Sequence, residues 1–249
     1  MAERPNVFPI RDGAELSWIT VDQMREVDRV AIELGLTLPR MMENAGANLA
    51  ALARDLLDGD LAGRRVVVLA GPGGNGGGGM VAARRLAGSG ASVEVRLGAP
   101  PSGLAPVPAE QHELLRRFGI AVREGAQDLG EVDLFVDALL GYSQSGAPRG
   151  DIAALVEAAS ARRVLALDVP TGLELESGSV LEPAIAAEAT MTLALPKRGL
   201  ASRSGRDRVG ALYLADISIP ATVYERLGID YESPFAMGPI VRIAGAGDG

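Results

Sequence analysis

The spacing of apolar residues along this chain changes once, after Gly63, and the change divides it. Thr20-Val21-Asp22-Gln23 has the form of a capping box, with Thr20 as N-cap and Gln23 three residues on. Met24, Val27, Val30, Ala31 and Leu34 follow at helical spacing until Gly35 ends the run. A second helix is predicted from about 40 to 57. Beyond Gly63 the rhythm becomes strand and helix in alternation. Strands are predicted at 66–70, 92–97, 133–139, 164–168, 190–195 and 211–215, and helices near 80–88, 109–118 and 151–161. The central strand segments are apolar without alternation, as befits strands covered on both faces. This series predicts an α/β domain: a three-layer, Rossmann-like, doubly wound arrangement. Its central sheet is mostly parallel, with helices on both faces and the two N-terminal helices packed on it. With no repeat and no break in composition, a single domain is expected over 18–225. A flexible arm at 1–17 and a tail at 226–249 flank it, and the Pro- and Ala-rich stretch 98–108 reads as an external connection.

Composition narrows the function. Hydrophobic residues make up 47% of the chain, enough for a sizeable core. A net charge of −8 argues against nucleic-acid and membrane-surface partners, which call for a basic face. Without cysteine there are no disulfides, no thiolate catalysis and no zinc–sulfur site. No apolar run approaches membrane-spanning length and no signal-peptide core is present, so a cytoplasmic protein is expected. His112 sits among Glu113, Arg116 and Arg117 and reads as a solvated face residue, not a base. Lys197 is the only lysine among 24 basic residues, a weak pointer to a specific task.

Three strand ends carry the candidate chemistry. Arg65-Val66-Val67-Val68-Leu69-Ala70 runs into Gly71-Pro72-Gly73-Gly74-Asn75-Gly76-Gly77-Gly78-Gly79, a turn with almost no side chains ahead of the helix beginning at Met80. Such a turn lets a ligand approach the backbone, and the following helix presents free N–H groups and a positive dipole, which suit a phosphate. The second strand end delivers Asp137 and then the polar loop Gly141-Tyr142-Ser143-Gln144-Ser145-Gly146-Ala147. The third delivers Asp168 into Val169-Pro170-Thr171-Gly172. In open α/β sheets these ends meet in one crevice. Plainer readings stand beside each: a tight turn for helix–sheet packing, acids that cap the next turn, and a turn hydroxyl at Thr171. The glycine turn does contain G-x-G-x-x-G, but its second strand ends Val95-Arg96-Leu97-Gly98 without the acid a dinucleotide fold wants. A Walker A loop is excluded, since no lysine follows the glycines.

Taken together the motifs resemble the YjeF N-terminal domain family, the NAD(P)H-hydrate epimerases, over nearly all of the chain. Thr20 to Asp28 looks like that family's opening helix, and Met42-Glu43-Asn44-Ala45-Gly46 like its second-helix signature. The three strand-end loops match its ligand loops, and Leu195-Pro196-Lys197 its late strand-end lysine. The resemblance implies a Rossmann-like fold, often dimeric, that interconverts the R and S epimers of hydrated NADH or NADPH with a bound potassium ion. Carried over, Asn75, Asp137 and Thr171 would hold potassium. Gly74 to Gly78, Asn44 and the 141–147 loop would hold the substrate. Asp168 would be the acid–base group beside the reacting ring, with Lys197 as its catalytic companion.

The chain also departs from the family. Its glycine turn usually reads Asn-Asn-Gly-Gly-Asp-Gly, whereas here glycine stands at Gly74 and Gly78. Each of the consecutive glycines 76–79 opposes a helix by up to about 1 kcal/mol relative to alanine, so a loop that orders around its ligand is expected. An epimerase, a non-catalytic nucleotide-binding or scaffold domain of the same fold (one serves an mRNA-decapping scaffold), and an ordinary NAD-dependent oxidoreductase all remain open. A scaffold has little reason to keep Asp137, Asp168, Thr171 and Lys197 together, and Arg96 argues against the oxidoreductase. Many family members are fused to a kinase-like dehydratase, for which the residues after Pro220 are too few, so that partner is expected on a separate chain or a removed segment. Gly245-Ala246-Gly247-Asp248-Gly249 faintly matches a kinase anion-hole motif and reads as chance or tail.

Overall fold

In the computed structural model, which describes residues 7–245, β1 (Ile10–Asp12) precedes α1 (Val21–Glu33) and α2 (Leu38–Leu56). The capping box is formed: the Gln23 N–H donates to Thr20 Oγ1 at 3.2 Å, and the Thr20 N–H to Gln23 Oε1 at 2.9 Å. Alternation follows as β2 (Arg65–Ala70), α3 (Gly74–Gly88), β3 (Ser92–Leu97), α4 (Pro106–Arg117), β4 (Ala121–Glu124) and β5 (Leu134–Ala138). Then come α5 (Gly150–Ala159), β6 (Val164–Leu167), β7 (Ala189–Leu193), α6 (Arg203–Val209), β8 (Ala211–Ala215), α7 (Ala221–Arg226) and β9 (Ile240–Ala244). The nine strands form one sheet in the order β1-β9-β8-β7-β6-β5-β2-β3-β4. β2 to β8 are parallel; β9 runs against β8, and β1 pairs parallel to β9. The α/β, Rossmann-like expectation holds.

Two boundaries change. The arm expected at 1–17 contributes β1, and the tail expected at 226–249 contributes β9, so both belong to the sheet. The sequence did not announce them for different reasons. β1 is three residues long on an outer edge, and β9 is a short, isolated strand that no alternating helix precedes closely. Except for Gly245, the terminal Gly-rich motif lies outside the described residues, as do residues 1–6. The 98–108 connection ends early, because α4 already begins at Pro106. His112, on that helix, is half-buried and not fully solvated, and it lies away from the crevice described below.

The glycine run is the larger correction. It is not a loop awaiting a ligand: α3 starts at Gly74, and Gly76 to Gly79 are buried helical residues. Packing overrides propensity here. A Cβ on Gly76 would stand 1.9 Å from the Gly71 carbonyl oxygen, and one on Gly79 2.5 Å from Ala138 Cβ. Across the helix pair, a Cβ on Gly46 of α2 would meet Val81 Cβ at 2.4 Å. Only bare backbone lets α3 lie this close to the sheet and to α2, and the buried contacts outweigh the propensity cost.

The connections decide where a ligand goes. From β2 the chain steps to β3 and β4 on one side, then returns to β5 on the other. The order therefore reverses between β2 and β5, and the crevice at their carboxyl ends is the switch point where open α/β sheets bind ligands.

Candidate active site

A cavity of about 560 Å³ opens at that point. The first turn of α3 (Gly74 and Asn75), the segment 139–145 after β5, Asp168 after β6 and Lys197 after β7 all line it. Met24, Met41, Met42 and Ala45 of α1 and α2 form an apolar wall opposite. The sequence thus gathers its three loops into one place.

Asp168 and Lys197 form its chemical centre. Asp168 has φ +66°, a region few non-glycine residues adopt, and the Val169 N–H donates back to the Leu167 carbonyl at 2.8 Å around it. Such a tight three-residue turn stores strain, and here it swings the carboxylate out of the strand into the crevice. The Lys197 ammonium is 1% exposed and spends its donors on Asp168 Oδ1 at 2.6 Å, the Leu193 carbonyl at 2.8 Å and Thr192 Oγ1 at 3.1 Å. The second carboxylate oxygen, Oδ2, accepts the Tyr142 N–H at 3.0 Å. Both members of the pair are therefore oriented by the scaffold.

Below the crevice floor lies a second polar cluster. Asp137 is wholly buried, and its oxygens accept the Thr171 hydroxyl and N–H, each at 2.8 Å, and the Leu139 N–H at 3.2 Å. Burial dominates over those bonds and raises its carboxyl to about 6. Thr171 Oγ1 in turn accepts the Leu140 N–H at 3.2 Å. Asn75 reaches the same loop from above, donating to the carbonyls of Leu140 at 2.9 Å and Leu167 at 3.2 Å. Among the described residues no group of three His, Cys, Asp or Glu converges as a transition-metal site. The amide, carboxylate and hydroxyl donors of Asn75, Asp137 and Thr171 are instead oxygens of the kind that suits a hard alkali cation. A buried carboxylate whose charge is costly also fits such an ion.

Other predicted site residues divide. Gly78, Gly141, Tyr142, Ser143 and Ser145 line the cavity, whereas Gly76 and Gly77 are packing residues under Gly71 and Met42. Gln144 also lines it, but its side chain is committed to the framework. It accepts the Gly172 N–H at 2.8 Å and donates to the Leu173 carbonyl at 2.8 Å. Gly146, Ala147 and Asn44 do not line the cavity; Asn44 donates to Ser218 Oγ at 2.7 Å instead. Gly78 lies close against Leu167, whose Cδ2 would stand only 3.0 Å from a Cβ there. Two polar residues escaped the sequence reading. Thr192 is buried on β7 beside Lys197, and Asp28 lines the cavity from α1. Asp28 did leave a signal, as an acid four residues from Met24 on the helix's apolar stripe.

Switch-point crevice, bare helix N-terminus and buried carboxylate–ammonium pair together define a Rossmann-like α/β protein with a nucleotide-type site. A family model described as YjeF-related protein N-terminus matches residues 39–199, and the chain belongs to that family. It is 43% identical over 241 residues to an NAD(P)H-hydrate epimerase of Dehalogenimonas lykanthroporepellens, covering 95% of this chain and 96% of the relative. It is 38% identical over 232 residues to a bifunctional NAD(P)H-hydrate repair enzyme Nnr of Thermofilum pendens, covering 88% of this chain but 44% of that longer protein. The crystal structure of yeast ynu0 shares the fold at TM-score 0.76 and 23% identity, covering 92% of this chain and all of that one.

Proposed function

We propose that this protein is an isomerase, an NAD(P)H-hydrate epimerase that interconverts the R and S epimers of hydrated NADH or NADPH. The observation that carries the reading is the buried Asp168–Lys197 pair, presented by a strained turn at the mouth of the crevice. The epimerase relative matched over nearly its whole length supports it.

Epimerisation inverts the ring carbon that bears the added hydroxyl. As the ring nitrogen's electron pair moves in, the carbon–oxygen bond breaks and the oxygen leaves as water with a proton from the Asp168–Lys197 pair. Water then adds to the opposite face, and Asp168 takes the proton back. Atoms and electrons balance, with no net redox change. Lys197 and the Tyr142 N–H hold the carboxylate in line for both transfers, which is general acid–base catalysis by a positioned group. The N-terminus of α3 suits the substrate's phosphates, with the Gly74 and Asn75 backbone facing the cavity. Potassium, held by Asn75, Asp137 and Thr171, would neutralise the Asp137 carboxylate and stiffen the two turns it joins. The same reading includes a cytoplasmic homodimer working beside a dehydratase that consumes the S epimer.

The test is turnover of purified R-NADHX with and without potassium. Conversion to the S epimer that potassium stimulates and Asp168→Asn sharply reduces is expected. ADP-ribose binding without turnover would instead favour a nucleotide-binding domain that has lost catalysis.

A further inference from the structure

Asp28 differs from the other acids of α1. Asp22, Glu26 and Glu33 lie on the outer face, paired with Arg25 and Arg29. Asp28 turns inward beside buried Met24, Val27 and Ala31, and it lines the crevice. The Tyr142 phenol donates to its Oδ2 at 2.6 Å. Burial holds the Asp28 carboxyl above the usual range, with the Tyr142 hydrogen bond and the Lys197 charge opposing. Burial and the facing Asp28 keep the phenol protonated and donating.

Tyr142 in turn connects this contact to the chemical centre. Its N–H donates to Asp168 Oδ2, and its ring centroid lies 5.7 Å from Lys197 Nζ. A peptide N–H has no rotamer of its own, so its aim is set by the loop that carries it. Beyond its start at Leu140, which Asn75 and Thr171 hold, that loop is tethered through two side chains. Gln144 fastens one end to the turn after β6, and the Tyr142 hydroxyl fastens the other to α1. Without the second tether, the Tyr142 N–H would be kept near Asp168 by the Gln144 bonds, the backbone turn closed by Gly141 and Gln144, and packing of the ring, with no side-chain hydrogen bond on Tyr142 itself.

We propose that Asp28 is a positioning residue for the epimerase reaction. Through the Tyr142 hydroxyl it fixes the loop after β5, and so aims the Asp168 carboxylate at the hydrated ring. This rests on the epimerase reading and adds to it a residue on a helix outside the three ligand loops.

The test uses the full chain carrying Asp28→Ala, Asp28→Asn, Tyr142→Phe or Asp28→Ala with Tyr142→Phe. In Asp28→Ala and Tyr142→Phe, kcat on R-NADHX should fall about ten- to a hundredfold, as small misplacements of reacting groups do. KM should stay within about threefold, because the change acts on alignment rather than on binding. Because the two residues act as one unit, the double variant should be no slower than the worse single. Asp28→Asn keeps an oxygen that accepts the phenol and should restore most of kcat. A second measurement needs no turnover. Amide exchange of the 141–145 peptide should rise about tenfold in Asp28→Ala and Tyr142→Phe but not in Asp28→Asn, as local opening becomes easier. Losses that multiply in the double variant, an Asp28→Asn as impaired as Asp28→Ala, or unchanged exchange would each overturn the proposal. A wild-type chain without turnover would defeat the epimerase reading instead, and the exchange comparison would still decide whether Asp28 holds the loop.

Discussion

At the scale of single residues, the site depends on two buried acids in opposite circumstances. Asp168 has an ammonium partner, and Asp168→Asn should cut turnover about 10²- to 10⁴-fold, the range of a lost general acid–base. Steady-state kinetics at equal folded fraction would check it. Asp137 has only neutral donors, and its carboxyl rises from 3.8 to about 6. Between those values the folded chain binds more protons than the unfolded one. Stability from this group is therefore full below about pH 4 and lost as pH rises through 6, by about 3 kcal/mol. Denaturation midpoints of wild type and Asp137→Asn, compared from pH 3.5 to 7, should diverge across that window in sodium. Potassium bound at the ionised carboxylate should flatten the divergence. Much of this was legible in the sequence, because Asp137, Asp168 and Thr171 stand at strand ends where topology delivers side chains to a crevice. Gln144 and Asn44 read as ligand contacts, yet their side chains bond to the framework, and no one-dimensional pattern separates those two uses. Asp28 was hidden for a related reason: its helix is rich in charge, and only its place on the apolar stripe sets it apart.

At the scale of elements, α3 shows how tertiary contact reverses a local preference. Its glycines argue against a helix one residue at a time, and the sequence alone places the helix start at Met80. What the sequence lacks is the distance from α3 to Gly71, Ala138 and α2. The glycines should therefore split into two classes. Gly76→Ala drives a Cβ into the Gly71 carbonyl and should cost about 3 kcal/mol, the upper range for overpacking. Gly88→Ala, in the exposed last turn with nothing within 4 Å, should stabilise by about 0.5–1 kcal/mol. Thermal midpoints that move in opposite directions would bear this out; equal shifts would mean propensity alone rules. By contrast, six of the seven strands from β2 to β8 were readable, most of them as buried apolar runs, whereas the short β4, largely exposed and half charged, was missed.

At the scale of the whole molecule, the expected boundaries failed at both ends because β1 is a strand only through β9, and β9 only through β8 and β1. Removing residue 239 onward should strip Ile240, Val241 and Ile243 from the core and leave β8 as a bare edge. Three such side chains are worth roughly 5 kcal/mol together, a large share of what a domain has. A lowered midpoint and light scattering from edge association are expected. The same pairing has a consequence in time. Ile10 leaves the ribosome long before its partner Arg242. The switch point between β2 and β5 can assemble before β9 is made, while the outer edge cannot close until it is. Contacts of such wide sequence separation form slowly, so the nascent protein should hold a formed crevice and an unfinished rim, and chaperones should find it by that rim.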